Sequence, residues 1–146
     1  MNDDHIPPLL SVDEMPAIRS QDDLHRHWRA LMGPLGFSGR QLWLHVIGED
    51  RRPTPMLLQV DEVPEDPEPA MLDGMMAVLG EMLADAPGGS VALLLARPGC
   101  TPMTAADRRF AQAVAAAGRR SGVPLEPLHL ATDEEGRAFA PDDLAA

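Results

Sequence analysis

One heptapeptide, Ser90–Ala96 (SVALLLA), is the most hydrophobic stretch of the chain and constrains its fold more than any other feature. It is bounded by Pro87-Gly88-Gly89 before it and by Pro98-Gly99 after it, and such residues interrupt regular structure. A short apolar run between breakers predicts a strand, and a run without polar alternation predicts a strand that is covered on both faces. The sequence therefore predicts a central strand in a sheet that is covered by helices.

The segments around this strand alternate between helical and extended patterns. Two helices are predicted to begin at capping boxes, Ser20 with Asp23 and Thr104 with Asp107. Between them, Asp66 fits an N-cap that is followed by proline at the first helical position. The predicted helices are 20–32, 68–86 and 104–120, and the predicted strands are 41–47, 55–60, 90–96, 125–131 and 137–140.

The order of these elements, α-ββ-α-β-α-ββ, predicts an α/β fold in which a mixed sheet of about five strands is flanked by helices. A chain of 146 residues is the size of one domain with its own core. Residues 1–19 contain three prolines and scattered acids, and we interpret them as a flexible or loosely docked arm. Residues 20–140 then form the single domain, and residues 141–146 a C-terminal tail.

The charge of the chain excludes several classes of function. It has 12 basic and 23 acidic residues, a net charge of −11, and every basic residue is arginine. Without lysine there is no Schiff-base chemistry and no phosphate-loop lysine. Nucleic acid and anionic membranes require a positive surface, so we expect a protein partner instead. No signal-peptide or membrane-span pattern is present, and we expect a cytoplasmic protein without a cofactor.

Four histidines are candidates for chemistry. His25 and His27 lie two residues apart in the first helix and point about 200° away from each other, so they cannot hold one metal ion from one face. We interpret them as surface residues beside Trp28. His45 and His129 fall in two predicted strands and would meet if those strands were neighbours. Two separately hydrogen-bonded histidines are the favoured interpretation.

The turn that follows the central strand carries the only cysteine of the chain, Cys100. Helix N-termini lower the pKa of a nearby thiol, so one hypothesis is a hydrolase or thiol enzyme with Cys100 as nucleophile and His129 as its base. Another hypothesis is a regulatory subunit in which Arg97, beside the same helix N-terminus, binds a small anion.

Two further features suggest contact with another protein. Residues 61–68 (DEVPEDPE) contain five acids without the spacing of a calcium loop, which predicts a solvated loop or a docking site for a basic partner. The helix 68–86 contains four methionines that we interpret mainly as core filler. Met76 is the example that, if exposed, would mark a soft protein-binding face.

Several short strings follow one another after the first strand. They are LARPGC (95–100), TPMTAAD (101–107), AGRRSG (117–122), PLHL (127–130) and GRAFA (136–140). Together with the order of elements from 41 to 140, they resemble the JAB/MPN fold, in particular its RadC-like bacterial branch. That branch carries H-x-H-P-S-G at a strand end, P-S-x-x-D at the next helix start, a helix ending in A-G-x-x-x-G, a strand with D-H and a short last strand.

The departures from this family decide what the resemblance implies. Its metallopeptidase members bind zinc with two histidines and an aspartate, and a glutamate handles the proton of the attacking water. Here the histidine positions correspond to Leu95 and Arg97, the glutamate position falls at residues 40–41, and only Asp107 matches a ligand, although it is also explained as a helix cap. Leucine cannot bind zinc, and arginine adds a permanent positive charge.

The resemblance therefore implies a catalytically inactive domain that serves as a protein-binding or scaffold module. We expect no metal, and we single out Arg97, Cys100 and Asp107 as the residues to examine in the turn.

Overall fold

A five-stranded mixed sheet forms the centre of the computed structural model, which describes residues 9–33, 35–100 and 102–144. The helices are α1 (Gln21–Met32), α2 (Pro69–Ala84), α3 (Ala105–Ser121) and α4 (Pro141–Leu144). The strands are β1 (Gln41–Ile47), β2 (Pro53–Asp61), β3 (Ser90–Ala96), β4 (His129–Ala131) and β5 (Gly136–Ala138). The predicted α/β class and the order α-ββ-α-β-α-ββ are confirmed.

The strand order in the sheet is β2-β1-β3-β4-β5, which places the SVALLLA strand in the middle. β3 pairs antiparallel with β1 and parallel with β4. β2 and β5 are the two edge strands, antiparallel to β1 and β4 respectively. All seven residues of β3 are buried, as expected for a strand with neighbours on both sides and helices on both faces.

The two faces of the sheet pack against different helices. Side chains alternate along β3, so Leu93 and Leu95 lie in the cluster with α2 and α3, whereas Leu94 and Ala96 lie in the cluster with α1. The same alternation places Trp43, which follows Leu42 on β1, on the α1 face. The four candidate histidines therefore all lie on the α1 side of the sheet: His25 and His27 on α1, His45 on β1 and His129 on β4.

The N-cap of helix α2 lies two residues later than predicted, and the helix begins one residue later. Its N-cap is Glu68 rather than Asp66, and its first residue is Pro69. A residue before proline is driven to extended geometry, and Glu68 has φ −70° and ψ 144°, so the helix cannot begin earlier. Met76 is buried, which makes it a core residue and not the exposed methionine that the sequence allowed for; Met71 is the exposed one.

Of the predicted strand 125–131, only His129–Ala131 forms a regular strand, β4. Leu125 makes a single parallel bridge to Val91, and Glu126 donates its N–H to the carbonyl of Val91 at 2.8 Å. Pro127 then interrupts the ladder because it has no N–H to donate. The regular pairing of β4 with β3 therefore begins only at His129, opposite Leu94.

Both ends of the described chain contact the domain. Ile18, in the predicted arm, is 2% exposed, and its N–H donates to the carbonyl of Arg51 at 2.7 Å. At the other end, α4 contacts α3 through an ion pair between Arg108 and Asp143 at 3.0 Å. Residues 1–8 of the predicted arm and residues 145–146 of the predicted tail lie outside the described residues.

Candidate functional site

The turn after β3 is closed by an ion pair between Arg97 and Asp107. Arg97 Nη2 donates to Asp107 Oδ2 at 2.8 Å, and Arg97 Nε donates to Oδ1 at 3.0 Å, which is the two-pronged geometry that guanidinium and carboxylate favour. The side chains are 10% and 1% exposed. The sequence singled out both residues, but it did not predict that they bind each other.

Asp107 also caps helix α3, as the sequence predicted. Thr104 Oγ1 accepts a hydrogen bond from the N–H of Asp107 at 3.1 Å, and Asp107 Oδ2 accepts one from the N–H of Thr104 at 2.9 Å. Burial alone would raise the pKa of the Asp107 carboxyl, but the hydrogen bonds from Arg97 and Thr104 outweigh it and hold the pKa below its usual value. The carboxylate is thus charged and engaged on both oxygens.

A second arginine, Arg40, lies beside the same carboxylate. Its Nη1 is 3.9 Å from Asp107 Oδ1, its Nε donates to the carbonyl of Val63 at 3.0 Å, and its guanidinium stands 5.5 Å above the ring of Phe110. Arg40 Nη2 is buried and has no hydrogen-bond partner among the described residues. Sequence reasoning placed Arg40 near the expected glutamate position but did not predict this contact.

Cys100 is exposed, and its surroundings oppose the thiolate. A hydrogen bond to the Glu134 side chain, followed by burial and the charges of Glu134 and Asp133, raises the pKa of the Cys100 thiol. This corrects the expectation that the helix N-terminus would lower that pKa. The cause is a neighbouring loop: the N–H of Gly99 donates to Asp133 Oδ2 at 2.7 Å, which holds the acidic turn 133–135 against the cysteine.

We expect Cys100 to react with an uncharged thiol-reactive probe at pH 7 more slowly than free cysteine does, because a smaller fraction of Cys100 is thiolate. Glu134→Gln removes the carboxylate that stabilises the thiol form and should accelerate the reaction. Glu135→Gln, which neutralises the next exposed acid, is the matched control and should leave the rate near that of the wild type. A wild-type rate above that of free cysteine would show that the turn activates its thiol.

His129 lies on the α1 face of β4, where its ring stands 6.4 Å from that of His25. His129 Nδ1 donates to the carbonyl of Pro127 at 3.1 Å, whereas the buried Nε2 has no hydrogen-bond partner among the described residues. Burial lowers the pKa of His129 to about 4. The contacts described for His129 do not include Cys100, so the structure does not bring the proposed nucleophile and base together.

His27 and His45 form a hydrogen-bonded pair. His45 Nε2 lies 2.6 Å from the carbonyl oxygen of Thr54 and must be the donor, which leaves its Nδ1 free to accept from His27 Nε2 at 2.9 Å. This contact holds a single proton between His27 Nε2 and His45 Nδ1. Burial lowers the pKa of His45, and burial together with repulsion from His45 lowers the pKa of His27 to about 3.

The four histidines thus divide into two separate pairs. β3 lies between β1 and β4, so His45 and His129 are not on neighbouring strands. His27 and His25 point in different directions from α1, and each meets one strand histidine. Among residues 9–33, 35–100 and 102–144, no group of three histidine, cysteine, aspartate or glutamate side chains is arranged to hold a metal ion.

None of the helices in the described part of the chain is long and apolar enough to cross a membrane. No protein-family model, no curated protein and no solved structure matches this chain.

Proposed function

We propose that this chain is a catalytically inactive JAB/MPN-like domain that acts as a protein-binding or scaffold module. The observation that carries the proposal is the buried ion pair between Arg97 and Asp107. In the related metallopeptidases, as the resemblance has it, the corresponding aspartate binds zinc. Here a guanidinium holds that carboxylate on both oxygens.

The chemistry of the surrounding side chains supports this proposal. A hydrolytic zinc site needs three protein ligands and an open position for water. This turn offers one carboxylate, Asp107, and two permanently charged arginines, Arg40 and Arg97, within 4 Å of it. These three side chains together carry a net charge of +1, and both guanidinium groups would repel a dication.

The placement of the four corresponding positions supports the resemblance itself. Arg97 contacts Asp107 directly, and Leu95, two residues earlier on β3, lies in the cluster that packs against α3. Arg40, at the position expected for the glutamate, reaches the same carboxylate. Arg97 and Arg40, at two of the positions that the resemblance assigns to the zinc site, thus both reach the carboxylate of Asp107.

The two alternative functions receive less support from the geometry. A thiol enzyme needs an activated nucleophile, but acidic neighbours raise the pKa of Cys100 and His129 packs against His25. An anion site built on Arg97 needs its guanidinium to be available, but Arg97 donates to Asp107 through both Nε and Nη2. We therefore favour a binding role of the whole domain over catalysis at this turn.

The test is a titration of the purified chain with Zn²⁺, followed by calorimetry and by metal analysis after desalting. We expect no stoichiometric zinc in the wild type, and no difference between the wild type and Asp107→Ala. About one zinc per chain that disappears in Asp107→Ala would sink the proposal, because it would show a working metal ligand at that position.

A further inference from the structure

Strand β2 is an edge of the sheet with one open side. Among the described residues it pairs only with β1, although it extends over nine residues, Pro53–Asp61. An edge strand presents alternate N–H and C=O groups that can pair with a further strand. The edge therefore offers a template for an extended segment of another chain.

The two halves of this edge differ. Pro53 and Pro55 lack an N–H, which is a common means of protecting an edge strand, and the short 3-10 turn Val12–Glu14 contacts β2. From Met56 to Asp61 there is no proline, and Leu58 is 37% exposed. The open part of the edge is therefore the half that leads into the acidic segment.

The open half of β2 continues directly into the acidic segment 61–68. Five carboxylates lie on the surface where β2 ends, at Asp61, Glu62, Glu65, Asp66 and Glu68. Val63 is buried between them and fixes the segment to the domain, since its N–H donates to the carbonyl of Arg40 at 3.2 Å. Only Asp66 among these acids has an ion pair, a 3.4 Å contact with Arg109, in the part of the chain described.

From this arrangement we infer that the half of β2 from Met56 to Asp61 binds an extended partner segment rich in arginine or lysine, which adds a strand to the sheet. Main-chain hydrogen bonds to β2 would supply the pairing, and the carboxylates at 61–68 would select basic side chains. This inference rests on the proposed function, since it names the partner of a binding module.

Charge complementarity favours such a partner over a second copy of this chain. Each copy carries a net charge of −11, so two copies repel each other at long range. A basic segment is attracted to the same surface, and its association should weaken as salt screens the charges.

The experiment measures binding of a fluorescein-labelled peptide that alternates lysine with valine, by fluorescence anisotropy. We expect saturable binding that weakens with added NaCl. Neutralising the segment with Glu62→Gln, Glu65→Gln and Asp66→Asn together should weaken binding roughly tenfold, since three exposed charge contacts supply about 0.5 kcal/mol each. The matched control, Asp22→Asn with Glu81→Gln and Asp85→Asn, changes the net charge equally at other exposed sites and should leave affinity within about twofold.

A second peptide with the same sequence, N-methylated at alternate residues, separates strand pairing from simple charge attraction. Its charge is unchanged, but its pairing edge is blocked, and we expect its binding to be lost. Equal binding of both peptides, equal weakening by the control variant, or no binding of the first peptide would each overturn the inference. The peptide result is read separately from the zinc titration: a failure here leaves the inactive-domain proposal standing, whereas stoichiometric zinc overturns the inactive-domain proposal whatever the peptide does.

Discussion

Asp107→Ala is expected to lower the free energy of unfolding by about 3–5 kcal/mol, one of the largest effects of any single substitution in this domain. The substitution leaves the guanidinium of Arg97 buried without its carboxylate, and a stranded buried charge is costly. It also removes one half of the capping box of α3, which contributes about 1 kcal/mol. Urea denaturation at pH 7 measures the change.

Three further variants isolate the ion pair. Thr104→Ala removes the cap but keeps the pair, and should cost only about 1 kcal/mol. Arg97→Met with Asp107→Ala removes both charges and should recover part of the loss, because no unpaired charge remains. Asp73→Ala breaks the exposed pair with Arg120 and should cost less than about 1 kcal/mol. A loss for Asp107→Ala no larger than for Asp73→Ala would contradict a structural role for the buried pair.

Acid is expected to destabilise the domain well before its carboxylates titrate. The folded-state pKa values of His27 and His129 are lowered to about 3 and about 4, and that of His45 is also lowered. In the unfolded chain these histidines take up protons near pH 6.5, whereas in the folded domain they remain neutral. Stability is therefore present above that pH and is lost as the pH falls from about 6.5 toward 4.

The loss by pH 4 is on the order of 3 kcal/mol for His129, since each unit of pKa difference corresponds to about 1.4 kcal/mol, and a similar order is expected for His27. The lowered carboxyl pKa values of Asp107 and Glu126 act in the same direction, but only below about pH 4. Urea denaturation at several pH values between 7 and 4 measures how steeply the free energy of unfolding falls with decreasing pH. His129→Leu should reduce this slope by about one proton; a slope that is the same in the variant would contradict the buried neutral histidine.

Local patterns predicted the elements because their causes are local. The apolar run of β3 and the cap formed by Thr104 and Asp107 depend on neighbours in sequence, and both were predicted at their observed places. The start of α2 also has a local cause, since Pro69 restricts the backbone of Glu68 to extended geometry. The same restriction excludes Asp66 as the N-cap, because Glu68 would then have to be helical.

The side-chain contacts in the turn after β3 could not be predicted from the sequence, because they depend on which strands lie next to β3. In this parallel pair Ala96 lies opposite Ala131, so the loops that follow both strands leave the sheet side by side. The acidic turn 133–135 thereby reaches Cys100 from more than thirty residues away. In the same way, Arg40 reaches Asp107 only because β1 lies next to β3.

The histidines show the same limit. Period-two alternation correctly places His45 on the face of β1 that carries Trp43. It does not indicate that β3 separates His45 from His129, nor that α1 contacts both of them through His27 and His25. The interpretation that each is hydrogen-bonded on its own agrees with the backbone carbonyls found at Thr54 and Pro127.

The most direct test of the central claim compares the zinc content of the wild-type chain with that of the variant Leu95→His with Arg97→His, which places histidine at the two positions that the resemblance assigns to zinc ligands. If the turn has the backbone positions of a zinc site but other side chains at the ligand positions, the wild type binds no stoichiometric zinc. The variant then gains about one zinc per chain, held by the two new histidines and Asp107, and loses it again when Asp107→Ala is added. Zinc bound by the wild type through Asp107, or a folded variant that binds none, would contradict the account.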